Sequence, residues 1–175
     1  TIVYSADGEE LGKYFRENRT NVNYEDISLN VHNALIATED ERFRSHSGVD
    51  FRGLVRAIAF MGTKGGASTV TQQLAKMLFH SRPSNKLLRI KQKLSEWVIA
   101  AQLERQYTKD EILTMYLNKL DFVNNAVGIK SAANVYFNKM PNDLMVEEAA
   151  MLVGMAKNPS LFNPIKRPDT TLHRR

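Results

Sequence analysis

With 175 residues, 43% of them hydrophobic, the chain is long enough for one domain with a real core and too apolar to be disordered. It has no cysteine, which excludes disulfide stapling and thiolate metal sites and leaves cytoplasmic and periplasmic settings both open. Twenty-four Lys and Arg against 19 Asp and Glu give a formal charge of +5, which favours an anionic partner: phosphate, nucleic acid or an acidic membrane surface. No apolar run reaches the ~18 residues of a spanning helix, and no signal peptide is visible. The start at Thr1, without Met, suggests a piece of something longer.

Ile2-Val3-Tyr4, followed by Ala6-Asp7-Gly8-Glu9, reads as a short strand and turn. Residues 1–26 are expected to form a strand and linker, and one domain to fill 27–175. Helical spacing begins at Ile27 and carries Val31, Ala34, Leu35 and Thr38, capped by Ser28 or Asp26. A second helix is predicted from Asp50 to Met61. The run Gly62 to Ala67 breaks it, and a third helix starts near Ser68 or Thr69, where Thr69-Val70-Thr71-Gln72 fits a capping box.

Pro83-Ser84-Asn85 interrupts again. A long helix is then predicted from Lys86 to Tyr107, packing through Leu87, Ile90, Leu94, Trp97, Val98, Ala101 and Leu103. Thr108-Lys109-Asp110-Glu111 is a second capping box, opening a helix through Ile112, Leu113, Tyr116 and Leu117. Further helices are predicted at Val127 to Tyr136 and Val146 to Ala156. Pro159, Pro164 and Pro168 mark an irregular tail, with a last helix from near Asp169. The class is mainly α.

Glu39 lies one turn after Leu35, ~40° around the helix axis, at the border of the apolar stripe. A carboxylate there is partly desolvated and suited to proton transfer, although a surface acid among Glu39-Asp40-Glu41 is the default reading. Asp40 points elsewhere on the helix, to hold a basic partner or to orient Glu39 by its charge. His46 reads as a structural histidine bonding to backbone before Gly48, since no second His stands at a ligand spacing. Gly66 to Gln73 places hydroxyls and amides at a helix start, which suits an anion and equally suits a well-capped helix. Arg89, Lys93 and Glu96 share one face of the long helix, as a solvated stripe or as a carboxylate beside cations. Phe51, Leu54, Ile58, Phe60 and Met61, interleaved with Arg52, Arg56 and Lys64, read as core or as a membrane-facing surface.

Taken together, four ordered motifs resemble glycosyltransferase family 51, the peptidoglycan glycosyltransferase domain of class A penicillin-binding proteins and monofunctional transglycosylases. E-D-x-x-F-x-x-H-x-G is met by Glu39, Asp40, Phe43, His46 and Gly48. G-x-S-T-x-x-Q-Q is met by Gly66, Ser68, Thr69, Gln72 and Gln73, with Lys76 following. R-K-x-x-E is met by Lys93 and Glu96, while Gln92 stands where Arg is usual and Arg89 is one turn earlier. K-D-E-I-L-x-x-Y-L-N is met throughout Lys109 to Asn118. The stretch from Gly48 to Ser68 is shorter than the family's pattern.

The resemblance implies a mainly helical fold, with a lysozyme-like larger lobe and a smaller membrane-associated lobe. It implies polymerisation of lipid II into glycan strands, with inversion at the anomeric carbon and release of undecaprenyl pyrophosphate. Glu39 and Glu96 are then the catalytic residues, Glu39 as general base and Glu96 assisting at the donor, directly or through a pyrophosphate-bound divalent cation such as Mg or Mn. Asp40, Phe43, His46, Ser68, Thr69, Gln72, Gln73, Lys76, Arg89, Lys93 and Asn118 are the expected substrate-binding residues. The implied partners are lipid II, the growing glycan and a membrane surface, with a transpeptidase domain fused in the whole protein. The implied place is the outer face of a bacterial cytoplasmic membrane.

Two other classes compete. A lysozyme-like glycan-cleaving enzyme would also use one catalytic Glu on a helical fold. A non-enzymatic basic helical module would bind membranes or nucleic acid. Against nucleic acid, basic residues alternate with acids along most helices and make no single basic face.

Overall fold

A computed structural model of the protein describes residues 2–13, 20–59, 68–79 and 85–174. Ile2–Tyr4 (β1) and Glu10–Lys13 (β2) pair antiparallel, with Ile2 opposite Lys13 and Val3 opposite Gly12. The intervening turn uses Gly8 at φ +86°, whose N–H donates to Ser5 O. The sequence of β2 carries no β-branched residue and does not announce a strand.

Everything else of regular structure among the described residues is helical, as expected for the mainly α class. The α-helices are Leu29–Glu39 (α1), Phe51–Ala59 (α2), Val70–Phe79 (α3), Lys86–Gln106 (α4), Lys109–Lys119 (α5), Ile129–Phe137 (α6), Val146–Ala156 (α7) and Pro168–Arg174 (α8). The starts follow local chemistry. Ser28 Oγ accepts from Asn30 N–H, Asn85 Oδ1 from Leu88 N–H, and Thr108 and Glu111 form the full reciprocal box. The box at α3 is only half made. Thr69 Oγ1 accepts from Gln72 N–H, but the Gln72 amide does not return to the Thr69 backbone.

The core gathers around α5 and α7. Ile112, Leu113, Tyr116 and Leu117 meet Leu74 and Ala75 of α3, Val31 and Leu35 of α1, and Leu152, Val153 and Met155 of α7. At about 0.8 kcal/mol per buried methylene, this cluster dominates folding of the described part. α1 packs on α7, α3 on α4 and α5, and α8 on α7.

The expected packing stripe of α4 is corrected. Leu87, Ile90, Leu94 and Val98 are 78, 61, 55 and 60% exposed, while Glu96, Ala100 and Leu103 are buried and Trp97 is half-buried. Only the C-terminal half of α4 enters the core, and the apolar residues of its first half face outward. On α2, Phe51 and Val55 are likewise exposed. Phe60 and Met61, expected at the end of that helix, lie outside the described residues, as does the Ile58 side chain.

Candidate active site

Glu39 closes α1, where the helix's apolar face runs out. Leu35 one turn earlier is fully buried, and the Glu39 side chain is 13% exposed. It lines a cleft of ≈ 600 Å³ between α1, α3, α4 and the C-terminal helices. Ser68, Gln72, Gln73 and Lys76 enter this cleft from the start of α3. Arg89, Gln92, Lys93 and Glu96 enter from one face of α4, and Lys157 and Arg174 from the chain's last quarter. A second cavity of ≈ 210 Å³ shares Thr38, Glu39 and Ser68 with the first, and Arg42, Asp50, Arg56 and Thr69 also line it. The carboxylate therefore borders both spaces.

Five cations (Lys76, Arg89, Lys93, Lys157 and Arg174) and two carboxylates (Glu39 and Glu96) line the larger cleft. Among the described residues, Lys76, Arg89 and Lys157 form no ion pair. Such a surplus of positive charge in a concave site favours a polyanion. Lys93 is held in place, its ammonium donating to Ser68 Oγ at 2.8 Å and to Glu96 Oε2 at 3.0 Å. Gln92, in the place of the usual Arg, donates from Nε2 to Glu96 Oε1 at 3.1 Å.

Both Glu96 oxygens thus accept from neighbours on α4. No group of three His, Asp, Glu or Cys able to hold a metal occurs among the described residues. One carboxylate with an ammonium on it does not fit a divalent cation held by the protein alone.

Glu39 itself is gripped from two sides. Gln73 Nε2 donates to Oε2 at 3.2 Å, and Arg174 Nη2 lies 3.7 Å from Oε1. Gln72 lines the cleft and is only 1% exposed, with neither its amide oxygen nor its amide nitrogen hydrogen-bonded. A buried amide without partners is costly.

Several of the expected substrate-binding residues have partners within the protein. Asp40 is buried, and both its oxygens lie 3.0 Å from His46 Nε2, while Oδ2 also accepts Val70 N–H at 2.9 Å, at the start of α3. His46 Nδ1 accepts from Gly48 N–H, so the ring proton sits on Nε2 and points to Asp40. Lys109 Nζ donates to His46 O at 2.6 Å and pairs with Glu104 at 2.7 Å, lying over the Phe43 ring at 4.4 Å.

Phe43 is fully buried in the core, Thr69 Oγ1 donates to Gly48 O at 2.6 Å, and Asn118 clamps the Val22 backbone. Of these, Phe43, His46 and Asn118 line neither cavity. The bond from Val70 N–H to Asp40 joins the α1 terminus to the start of α3. Asp40 and Thr69 still border the smaller cavity.

A family model described as Transglycosylase matches residues 7–175. The chain belongs to the transglycosylase family. It is 40% identical to penicillin-binding protein 1A of Pseudomonas aeruginosa and 41% identical to penicillin-binding protein 1F of Bacillus subtilis, each over 99% of this chain. It is 42% identical over the same share to penicillin-binding protein 1A of Escherichia coli. These alignments take in 21, 24 and 20% of the relatives, so the chain spans about a fifth to a quarter of their length.

Within this transglycosylase domain, sequence reasoning misses Lys157 and Arg174. Nothing local distinguishes Lys157 from a solvated lysine at a helix end, and Arg174 reaches the cleft only because α8 folds back on α7. Its side chain passes beside Gly154, where a Cβ would stand in ordinary contact, 3.4 Å from Arg174 Cγ.

Proposed function

We propose that this domain is a peptidoglycan glycosyltransferase that polymerises lipid II. The carrying observation is a carboxylate, Glu39, at the lip of a cleft with five cations, in a chain of the transglycosylase family. The acceptor sugar's 4-hydroxyl gives its proton to Glu39 as its oxygen bonds to the donor's anomeric carbon. The bond from that carbon to the pyrophosphate oxygen breaks, and undecaprenyl pyrophosphate leaves with the electron pair. A pyrophosphate needs little protonation and strong charge stabilisation, which Lys76, Arg89, Lys93 and Lys157 are placed to supply. The acceptor hydroxyl is weakly acidic, which is why one carboxylate must act as base.

Glu96 keeps Lys93 aimed at the cleft. A divalent cation taking part would arrive with the pyrophosphate, with Glu96 as its one protein carboxylate. The apolar residues left outside the core, Phe51, Val55, Phe79, Leu87 and Ile90 among them, support docking on a membrane surface, where the lipid-linked donor resides. No helix among the described residues is long and apolar enough to cross a membrane. The proposed setting is the outer face of a bacterial cytoplasmic membrane, in a whole protein built like its penicillin-binding relatives, with a transpeptidase beside this domain.

Incubation with fluorescent lipid II in detergent tests the reading. Polymerisation yields long glycan and one undecaprenyl pyrophosphate per bond made. A lysozyme-like enzyme would instead shorten preformed glycan and release no pyrophosphate from lipid II.

A further inference from the structure

We propose that Tyr116 is a positioning residue for the transfer reaction, acting through Gln73 to fix which oxygen of Glu39 is offered to the acceptor hydroxyl; this rests on Glu39 being the base. Tyr116 lies on α5 in the core, 1% exposed, and its hydroxyl donates to Gln73 Oε1 at 3.0 Å. Gln73 Nε2 in turn donates to Glu39 Oε2 at 3.2 Å. The polarity of this chain is forced. An ionised carboxylate only accepts, so Gln73 must turn its NH₂ to Glu39, and its carbonyl is left for Tyr116, which must then be the donor. Burial, and after it the Glu39 charge, push the phenol well above its usual range, so the proton stays on the tyrosine and the direction does not reverse.

The consequence is that the two oxygens of Glu39 are not equivalent. Oε2 is occupied by the Gln73 amide. Oε1 accepts no hydrogen bond among the described residues, with Arg174 Nη2 beyond hydrogen-bond reach at 3.7 Å. Oε1 is therefore the proton acceptor. Without the Tyr116 hydroxyl, only the bond to Glu39 holds the Gln73 amide in this orientation against the flipped one. The flipped one presents a carbonyl to a carboxylate, which repels Glu39 from its working position.

The test is a double-mutant cycle in the whole enzyme with Tyr116→Phe, Gln73→Leu and both together, reading kcat and KM on lipid II and the thermal midpoint of each. The hydroxyl bonds only Gln73 among the described residues, so Phe leaves the core's shape intact. Tyr116→Phe should lower kcat roughly 3- to 10-fold, the worth of one hydrogen bond, with KM within about twofold. The double variant should be no slower than Gln73→Leu alone, because the tyrosine has nothing left to act through. Multiplying effects, or wild-type kcat in Tyr116→Phe, would overturn the proposal and leave Tyr116 as packing. Glu39→Gln run alongside separates the two failures: if it stays active, the base assignment is wrong, whatever the cycle gives.

Discussion

Arg174 places its guanidinium Nη2 3.7 Å from Oε1 of Glu39, joining the last turn of α8 to the end of α1. Its stem passes Gly154 on α7, and the guanidinium stands 5.7 Å from the Phe162 ring. The side chains are 28 and 13% exposed, so this pair is partly screened and acts mainly through geometry. It faces Oε1 of Glu39 across the cleft lining, where the pyrophosphate charge of the proposed reaction would also be felt. Arg174→Ala should lower kcat about tenfold, and Arg174→Lys should recover part of it, since an ammonium keeps the charge and loses the planar fork. Steady-state kinetics on lipid II decide this, and unchanged kcat in the alanine variant would reduce Arg174 to a brace for α8.

Gly48 sits at φ +91°, and a Cβ there would lie 2.8 Å from both C and O of Ala100 on α4. Its carbonyl also takes the Thr69 hydroxyl, so the loop after α1 is pinned to α4 and α3 at one point. Gly48→Ala should cost about 2–4 kcal/mol, from left-handed strain together with overpacking against backbone. Urea unfolding measures it, and a loss under about 0.5 kcal/mol would show that the loop can shift without consequence.

How much of this was legible differs by residue. Glu39 at the edge of an apolar stripe, the Thr108 box and the span of α7 follow from local pattern, because each depends on neighbours within one or two turns. The shared face of Arg89, Lys93 and Glu96 is also a local consequence of helical spacing. Asp40, Phe43 and His46 belong to the right motif and yet are engaged inside the protein, because matching a motif does not say whether a residue touches ligand or its own neighbours. Leu87, Ile90, Leu94 and Val98 mislead for a related reason: periodicity gives a stripe, and only the tertiary arrangement says what covers it. Arg174 and the Tyr116–Gln73 link are invisible locally, since each depends on elements distant in the chain.

Glu96 tests the donor side. Its oxygens hold Gln92 and Lys93, so Glu96→Gln removes the charge that aims the Lys93 ammonium at the cleft. Activity should fall at least tenfold and its response to added Mg should weaken, while Glu96→Asp should keep some of both. Activity near wild type with an unaltered metal response would strip Glu96 of any role beyond the helix.

His32 sets an acid limit on stability. It is buried on α1, stacked on Tyr24 with ring centroids 4.0 Å apart, and its Nδ1 has no partner. Burial depresses its proton affinity, offset in part by the Tyr24 carbonyl and Asp110, while Arg44 depresses it further. The unfolded chain therefore takes up the proton first, and stability is full above about pH 6.5 and declines as pH falls below it. Thermal midpoints from pH 8 to 5 should show that decline, and His32→Gln should flatten it. An equal slope in both proteins would place the acid sensitivity elsewhere.

The central claim is that Glu39 accepts the proton of the acceptor hydroxyl. Glu39→Gln keeps the shape and removes the proton acceptor, and the most direct measurement is its turnover of fluorescent lipid II beside wild type, with folding checked by thermal midpoint. The account predicts a loss of at least about 10²-fold in kcat in a protein that melts normally. Turnover within a few-fold of wild type would contradict it and move the base to another residue of the cleft.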